Sequence, residues 1–153
     1  MWRDTFIAVH TVTATIALAA GVVSLWRTAV FFAVYLWSLL AMEVFLVLAI
    51  AVEWDELDAV NQPVFAALAA LGAAMAILAW QSRGRAATSP GYIERVGFTL
   101  VALVDAFAVI TVLKTGAPGW AVAVTAVAIA GLGHVALRAV RKARAGPDTA
   151  RDG

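Results

Sequence analysis

The chain has 153 residues, of which 63% are hydrophobic and only 14% are charged, and its mean hydropathy is +0.91. This composition excludes a soluble globular domain and indicates an integral membrane protein. The polar connecting sequence is too short for a separate catalytic domain, so an enzyme is not favoured and any function must lie in the membrane helices or their loops. The absence of cysteine excludes disulfides, thiol catalysis and iron–sulfur clusters.

Five apolar segments have the length of about 20 residues that a helix needs to cross a hydrocarbon core about 30 Å thick. In chain order they are 5–26, 29–52, 62–81, 95–113 and 118–138. Only Arg27 and Thr28 separate the first two, and a continuous helix would be about twice as long as the membrane is thick, so the chain must reverse there. We predict an all-α, five-span transmembrane bundle over residues 1–144 and a polar, flexible tail over residues 145–153.

The connection between the second and third segments is strongly acidic, with Glu53, Asp55, Glu56 and Asp58. Its simplest interpretation is a solvated loop, with Pro63 at the start of the next helix. The alternative is a vestibule that concentrates cations. The third segment is small on every face over residues 66–76, which predicts close approach of neighbouring helices.

Basic residues fall almost entirely on one side of a five-span arrangement: Arg27, Arg83, Arg85, Arg95, Arg138, Arg141, Lys142, Arg144 and Arg151. Only Arg3 and Lys114 fall on the other. The positive-inside rule then predicts an outer amino terminus and a cytoplasmic carboxyl terminus in the cell (inner) membrane. The basic tail suits lipid headgroups and not nucleic acid.

Tryptophans lie close to the predicted helix ends, as expected of interfacial anchors. They are Trp2, Trp26, Trp54, Trp80 and Trp120.

Four ionisable side chains fall inside predicted spans: His10, Glu43, Asp105 and His134. Charged groups in hydrocarbon usually face the protein interior and find partners. At about 1.5 Å per residue from the cytoplasmic boundary, His10 and Glu43 come to about 22 and 21 Å, and Asp105 and His134 to about 14 and 6 Å. This predicts one imidazole–carboxylate pair in each leaflet.

Small residues share a helix face with each histidine, which predicts that both faces contact another helix. The first stripe is His10, Ala14, Ala17, Gly21 and Ser24, and the second is Ala126, Ala130 and His134.

Two interpretations of the ionisable residues stay open. In the first, each pair is a structural hydrogen bond worth about 1 kcal/mol. In the second, the pairs form a path for protons or cations, with Asp105 and Glu43 as protonatable groups and His134 and His10 as their partners. We adopt a small transport or proton-relay protein as the functional prediction. The competing class is an accessory or scaffold subunit, contacting membrane lipids and either further copies of itself or a larger membrane complex.

A haem-binding electron carrier is the second alternative, because membrane histidines commonly hold haem iron. Two axial histidines must lie at one depth, whereas His10 and His134 differ by about 16 Å. A haem held by one histidine and Met42 or Met75 stays open. No cofactor and no metal site is otherwise predicted, since no phosphate-binding glycine loop, zinc motif or serine nucleophile elbow occurs.

The stretch YIERVGFTLVALVDAFAVITVLKTGAPGW, followed by GLGH, resembles small uncharacterised polytopic membrane proteins of bacteria and archaea. The resemblance covers only the last two helices and implies a multi-pass membrane protein without an established activity. Five spans and many tryptophans are also similar to the translocator (tryptophan-rich sensory) family. The first loop of that family is rich in proline and tryptophan, whereas the turn here reads WRT, so its ligand site is not carried over.

Overall fold

The computed structural model describes residues 2–26, 29–57, 59, 61–86 and 89–144. Within these ranges the secondary structure consists of α-helices, with no strand. The helices are α1 (Trp2–Ser24), α2 (Ala29–Glu53), α3 (Asn61–Gln81), α4 (Pro90–Lys114) and α5 (Gly119–Arg144). All five are long and apolar enough to cross a membrane, which confirms the predicted all-α class with five helices of membrane-spanning length. The reversal at Arg27 and Thr28 and the tail lie outside the described residues.

Helices α4 and α5 extend furthest beyond their predicted ends, and α1 begins three residues early, at Trp2. Helix α4 begins at Pro90 instead of residue 95, because the Ser89 hydroxyl oxygen accepts a hydrogen bond of 3.3 Å from the Tyr92 amide. Serine at the cap followed by proline in the first turn is a strong helix start. Helix α5 continues to Arg144 instead of ending at residue 138, because alanine, arginine and lysine favour helix even where the sequence is no longer apolar.

The tryptophans predicted at helix ends lie there in the structure, whereas the sixth, Trp37, lies inside α2. Trp2 begins α1, Trp54 follows α2 directly, and Trp120 is the second residue of α5. Trp80 lies at the end of α3, where the Arg83 guanidinium stacks 3.0 Å from the centre of its ring. This cation–π contact orders the chain as it leaves the helix.

The chain divides into two compact units, residues 1–83 with α1, α2 and α3, and residues 84–153 with α4 and α5. The single bundle over residues 1–144 stays a prediction. In the first unit α2 packs against α1 on one side and α3 on the other. Ala14, Ala17 and Ser24 of α1 are buried, so the small-residue stripe of α1 is confirmed as a contact face.

The register of α1 and α2 follows from two contacts near the amino terminus. The Phe6 and Phe45 ring centroids are 6.1 Å apart, and the His10 side chain reaches the Met42 carbonyl oxygen. His10 therefore lies level with Met42, which agrees with the depth that helical rise predicts for it.

In the second unit, glycines receive side chains from the opposite helix. Leu137 of α5 packs onto Gly97 of α4, and Val101 of α4 packs onto Gly133 of α5. Close approach of this kind holds membrane helices together, since lipid supplies no hydrophobic drive for their association. An exposed ion pair between Arg141 and Glu94, at 3.8 Å, joins the same two helices and contributes little.

Hydroxyl groups inside the helices mostly bond to their own helix. The hydroxyls of Thr13, Ser82 and Thr125, for example, donate to carbonyl oxygens one turn earlier at 2.8 to 2.9 Å. This satisfies a polar group in hydrocarbon without any neighbour.

We expect Gly133→Ala to destabilise the α4–α5 hairpin, because a methyl group there would overlap the branched side chain of Val101. Overpacking of this kind costs about 1–3 kcal/mol. Gly131→Ala is the matched control, since nothing lies within 4 Å of the added methyl group and alanine is the better helix former. Thermal unfolding in detergent should rank Gly131→Ala at or above the wild type and Gly133→Ala below it. Equal melting temperatures for the two variants would contradict this packing.

Candidate functional site

Glu43 lies on the face of α2 that is turned toward α3. A methyl group built on Gly72 of α3 would overlap the Glu43 carboxylate, so the carboxylate lies directly against the glycine backbone. The Glu43 Oε2 atom is buried and has no hydrogen-bond partner among the described residues. A buried carboxylate oxygen without a donor is energetically expensive, which makes this contact the most unusual polar feature of the first unit.

A groove between α2 and α3 begins one helical turn beyond this contact. Its volume is about 460 Å³, and its described lining is Val47, Ile50, Ala51, Trp54, Asp55 and Ala69. Val47 follows Glu43 by one turn on α2, and Ala69 precedes Gly72 by one turn on α3, so the Glu43–Gly72 contact lies about one turn from the lining of the groove.

The outer end of the groove lies where α2 meets the acidic connection. Asp55 belongs to the lining, and the Gln62 side-chain amide of α3 donates a hydrogen bond of 3.1 Å to the Trp54 carbonyl oxygen. The groove thus has the exposed carboxylate of Asp55 in its lining, and the buried Oε2 atom of Glu43 lies about one turn beyond its other end. Asp58, the last of the four acids in this connection, lies outside the described residues.

His10 does not pair with Glu43. Its Nδ1–H donates a hydrogen bond of 3.0 Å to the Met42 carbonyl oxygen, and because a carbonyl only accepts, this nitrogen carries the proton. The predicted depth of His10 is correct, but the Glu43 side chain points toward α3 and not toward His10. Successive residues of a helix point about 100° apart, so Met42 faces α1 and Glu43 faces α3.

Asp105 and His134 are not brought together either. The contacts of Gly97 with Leu137 and of Val101 with Gly133 fix the register of α4 and α5. Continued by one turn, that register sets Ile129 opposite Asp105, about 7 Å along the helix from His134 at 1.5 Å per residue. The His134 side chain is exposed.

The small-residue stripe predicted on α5 lies only partly on the contact face, since Ala126 is half-buried one heptad before Gly133. Ala130 is exposed, as is His134, while Gly133 and Leu137 meet α4. The pairing failed because His134 points about 100° away from Gly133, the residue of α5 onto which Val101 packs.

Asp105 nevertheless shares a property with Glu43. Its side chain is partly buried, and its Oδ1 atom is buried without a hydrogen-bond partner in the part of the chain that the structure describes. Both intramembrane acids therefore have one carboxylate oxygen shielded from solvent and unsatisfied.

Gly72 is the residue of the site that was not predicted individually. The sequence signal was the small-residue run 66–76, which predicts close approach but does not say which neighbour approaches. Only the rotation of α2 about its axis brings a carboxylate to that glycine.

No group of three or more histidine, aspartate or glutamate side chains suited to a metal ion occurs among the described residues. Met42 and Met75, the methionines considered as second haem ligands, are both buried. The haem alternative stays a prediction.

Comparison of the chain with protein-family models, with curated proteins and with solved structures finds no match. The resemblance of the last two helices to small polytopic membrane proteins therefore stays a prediction, and the site has to be interpreted from its own chemistry.

We expect Gly72→Ala to destabilise the α2–α3 hairpin, because the added methyl group and the Glu43 carboxylate cannot occupy one volume. In a Glu43→Ala background the same substitution should be neutral or stabilising. A double-mutant cycle measured by unfolding in detergent should give a coupling of about 1–3 kcal/mol. Additive effects of the two substitutions would show that the carboxylate does not lie against this glycine.

We expect His10→Phe to lower stability by about 1 kcal/mol, because it removes the hydrogen bond to the Met42 carbonyl between α1 and α2. His134→Phe is the matched control, since its side chain is exposed and takes no part in the α4–α5 contacts above. Unfolding in detergent should separate the two variants. A loss of stability in His134→Phe alone would contradict the assignment of the α5 faces.

Proposed function

We propose that this chain is a small membrane protein that transports or relays protons or small cations, with Glu43 and Asp105 as its cation-accepting groups. The single observation that supports this most strongly is the buried Oε2 atom of Glu43, which has no hydrogen-bond partner among the described residues and lies about one helical turn from the lining of an open groove. Carboxylates inside membrane proteins mark ion and proton pathways when they face a cavity instead of a permanent partner.

Such a carboxylate is suited to bind and release a proton or a cation. A bare carboxylate in a low-dielectric site is unfavourable, so it is stable only with a proton or with a cation beside it. Because no described side chain neutralises Glu43 permanently, the neutralising species has to come from outside the protein. A relay through imidazole–carboxylate pairs is less well supported, since His10 is hydrogen-bonded to a carbonyl and His134 is exposed.

Access to Glu43 is supported by the groove and by the charges around its mouth. About 15 Å of helix separates Glu43 from Glu53 at 1.5 Å per residue. Asp55 and Glu56, exposed just beyond α2, raise the local concentration of cations. The acidic connection, predicted most simply as a solvated loop, thus also fits the alternative of a vestibule.

Asp105 supports the same function from the second unit. It is the ionisable residue closest to the middle of α4, and its Oδ1 atom lacks a partner within the described chain. We propose the orientation with an outer amino terminus and a cytoplasmic carboxyl terminus in the cell membrane. The basic residues at the carboxyl-terminal end of α5, Arg138, Arg141 and Lys142, support it by the positive-inside rule.

The competing function, an accessory subunit of a membrane complex, is favoured by α5. No residue in the described part of this helix is buried, and small exposed residues such as Ala130 and Gly131 suit packing against another helix. This class predicts no transport by the isolated chain.

We expect proton flux into liposomes containing the purified protein, driven by a potassium diffusion potential and followed with an internal pH-sensitive dye. Glu43→Gln and Asp105→Asn should each lower the flux at least about tenfold, because an amide accepts no proton in this pH range. Glu56→Gln is the matched control, since it makes the same chemical change at an exposed acid outside the helices, and it should retain most of the flux.

Helical content and elution as one species must be unchanged in every variant for the comparison to hold. Background flux in the wild type and all variants would overturn the transport proposal and leave the accessory subunit as the remaining function. Equal loss in Glu56→Gln and Glu43→Gln would show that surface charge, and not the buried carboxylate, controls the flux.

A further inference from the structure

We propose that the groove between α2 and α3 is a binding site for a monovalent organic cation that carries an apolar body. This inference deepens the proposed function, on which it rests for the role of Glu43, by naming the substrate class of the same site. Its two components are an apolar wall and carboxylates at both ends.

The acidic composition of the α2–α3 hairpin indicates that the ligand carries a positive charge. Residues 29–82 contain five acidic residues and no lysine, arginine or histidine. One of these acids, Asp55, lines the groove at its outer end, and Glu43 lies one turn beyond its inner end. No basic residue within the hairpin can compete with a bound cation, while an anion would meet only repulsion.

The apolar walls exclude a bare metal ion as the main ligand. Calcium takes six to eight oxygen ligands and magnesium demands about six, whereas Asp55 is the only carboxylate in the described lining. Val47, Ile50 and Ala51 instead offer hydrocarbon contact. These walls suit an ammonium or phosphonium group with attached alkyl or aryl groups, which needs one carboxylate and little oxygen coordination.

Trp54 supplies a second element of cation recognition. It belongs to the lining and lies beside Asp55, at the mouth. The face of an indole ring attracts organic cations and accepts their apolar substituents at the same time. The groove volume of about 460 Å³ lies within the range of about 300–1,000 Å³ that holds drug-sized ligands.

The probe is tetraphenylphosphonium, measured by equilibrium dialysis against the full-length protein in nanodiscs, with empty nanodiscs subtracted. Tetraphenylborate has the same shape and the opposite charge, so it is the control for apolar binding. We expect saturable binding of the cation at one site per chain and none of the anion. Ala69→Phe should abolish binding by filling the groove, and Glu43→Gln should weaken it at least about tenfold. Ala70→Phe, at an exposed neighbouring position, should leave it unchanged.

Three results would overturn the inference: no saturable binding of the cation, equal binding of cation and anion, or equal loss in Ala69→Phe and Ala70→Phe. Equal binding of the cation and the anion would indicate that the groove binds apolar groups such as lipid acyl chains. The proposed function fails separately. Saturable cation binding with only background proton flux would support the binding site and contradict proton transport. Proton flux that depends on Glu43, without cation binding, would support proton transport and contradict this substrate class.

Discussion

The contact between the Glu43 carboxylate and the backbone of Gly72 is the constraint on which the first unit depends. A carboxylate in hydrocarbon has to be enclosed by protein, and only glycine leaves room for it at this separation of α2 and α3. The contact therefore fixes the rotation of α2 about its own axis. With Glu43 toward α3, helical geometry turns Met42 toward α1, where its carbonyl receives the His10 proton. Two neighbouring residues thus connect α2 to two different helices.

In the second unit glycines also let two helices approach closely, but the side chains that pack onto them are apolar. Gly97 and Gly133 lie four residues from Val101 and Leu137 on their own helices, so each helix presents one glycine and one bulky side chain, and the two sets interlock. Reciprocal packing of this kind sets the register of a hairpin without any polar bond. It also explains why Asp105 has no imidazole opposite it, because the register that satisfies both glycines leaves His134 at another level and on another face.

The sequence determines the depth of a side chain along a helix better than the direction in which that side chain points. Helical rise predicted the depth of His10 relative to α2 within one residue, and the apolar segments predicted five helices with tryptophans at their ends. The direction of a side chain could not be predicted in the same way, because it depends on which of several small-residue faces meets a neighbour. On α5, His134 and the contact residue Gly133 differ by one step, about 100° of rotation, although both lie close to the stripe that begins at Ala126. Polar caps such as Ser89 were missed because hydropathy does not register them.

Because the predicted imidazole–carboxylate pairs do not form, Glu43 and Asp105 each keep one carboxylate oxygen without a hydrogen-bond partner among the described residues. An imidazole bonded to Glu43 would neutralise or satisfy it permanently, and the site would then be a structural element worth about 1 kcal/mol. Among the described residues the Oε2 atom has no such donor, so no hydrogen bond from that part of the chain offsets its desolvation. The same carboxylate lies about one turn from the lining of a groove, in a hairpin whose residues 29–82 include no basic residue. An unsatisfied acid in this setting costs stability that a leucine would not cost, and the proposed binding of an exchangeable cation would account for that cost.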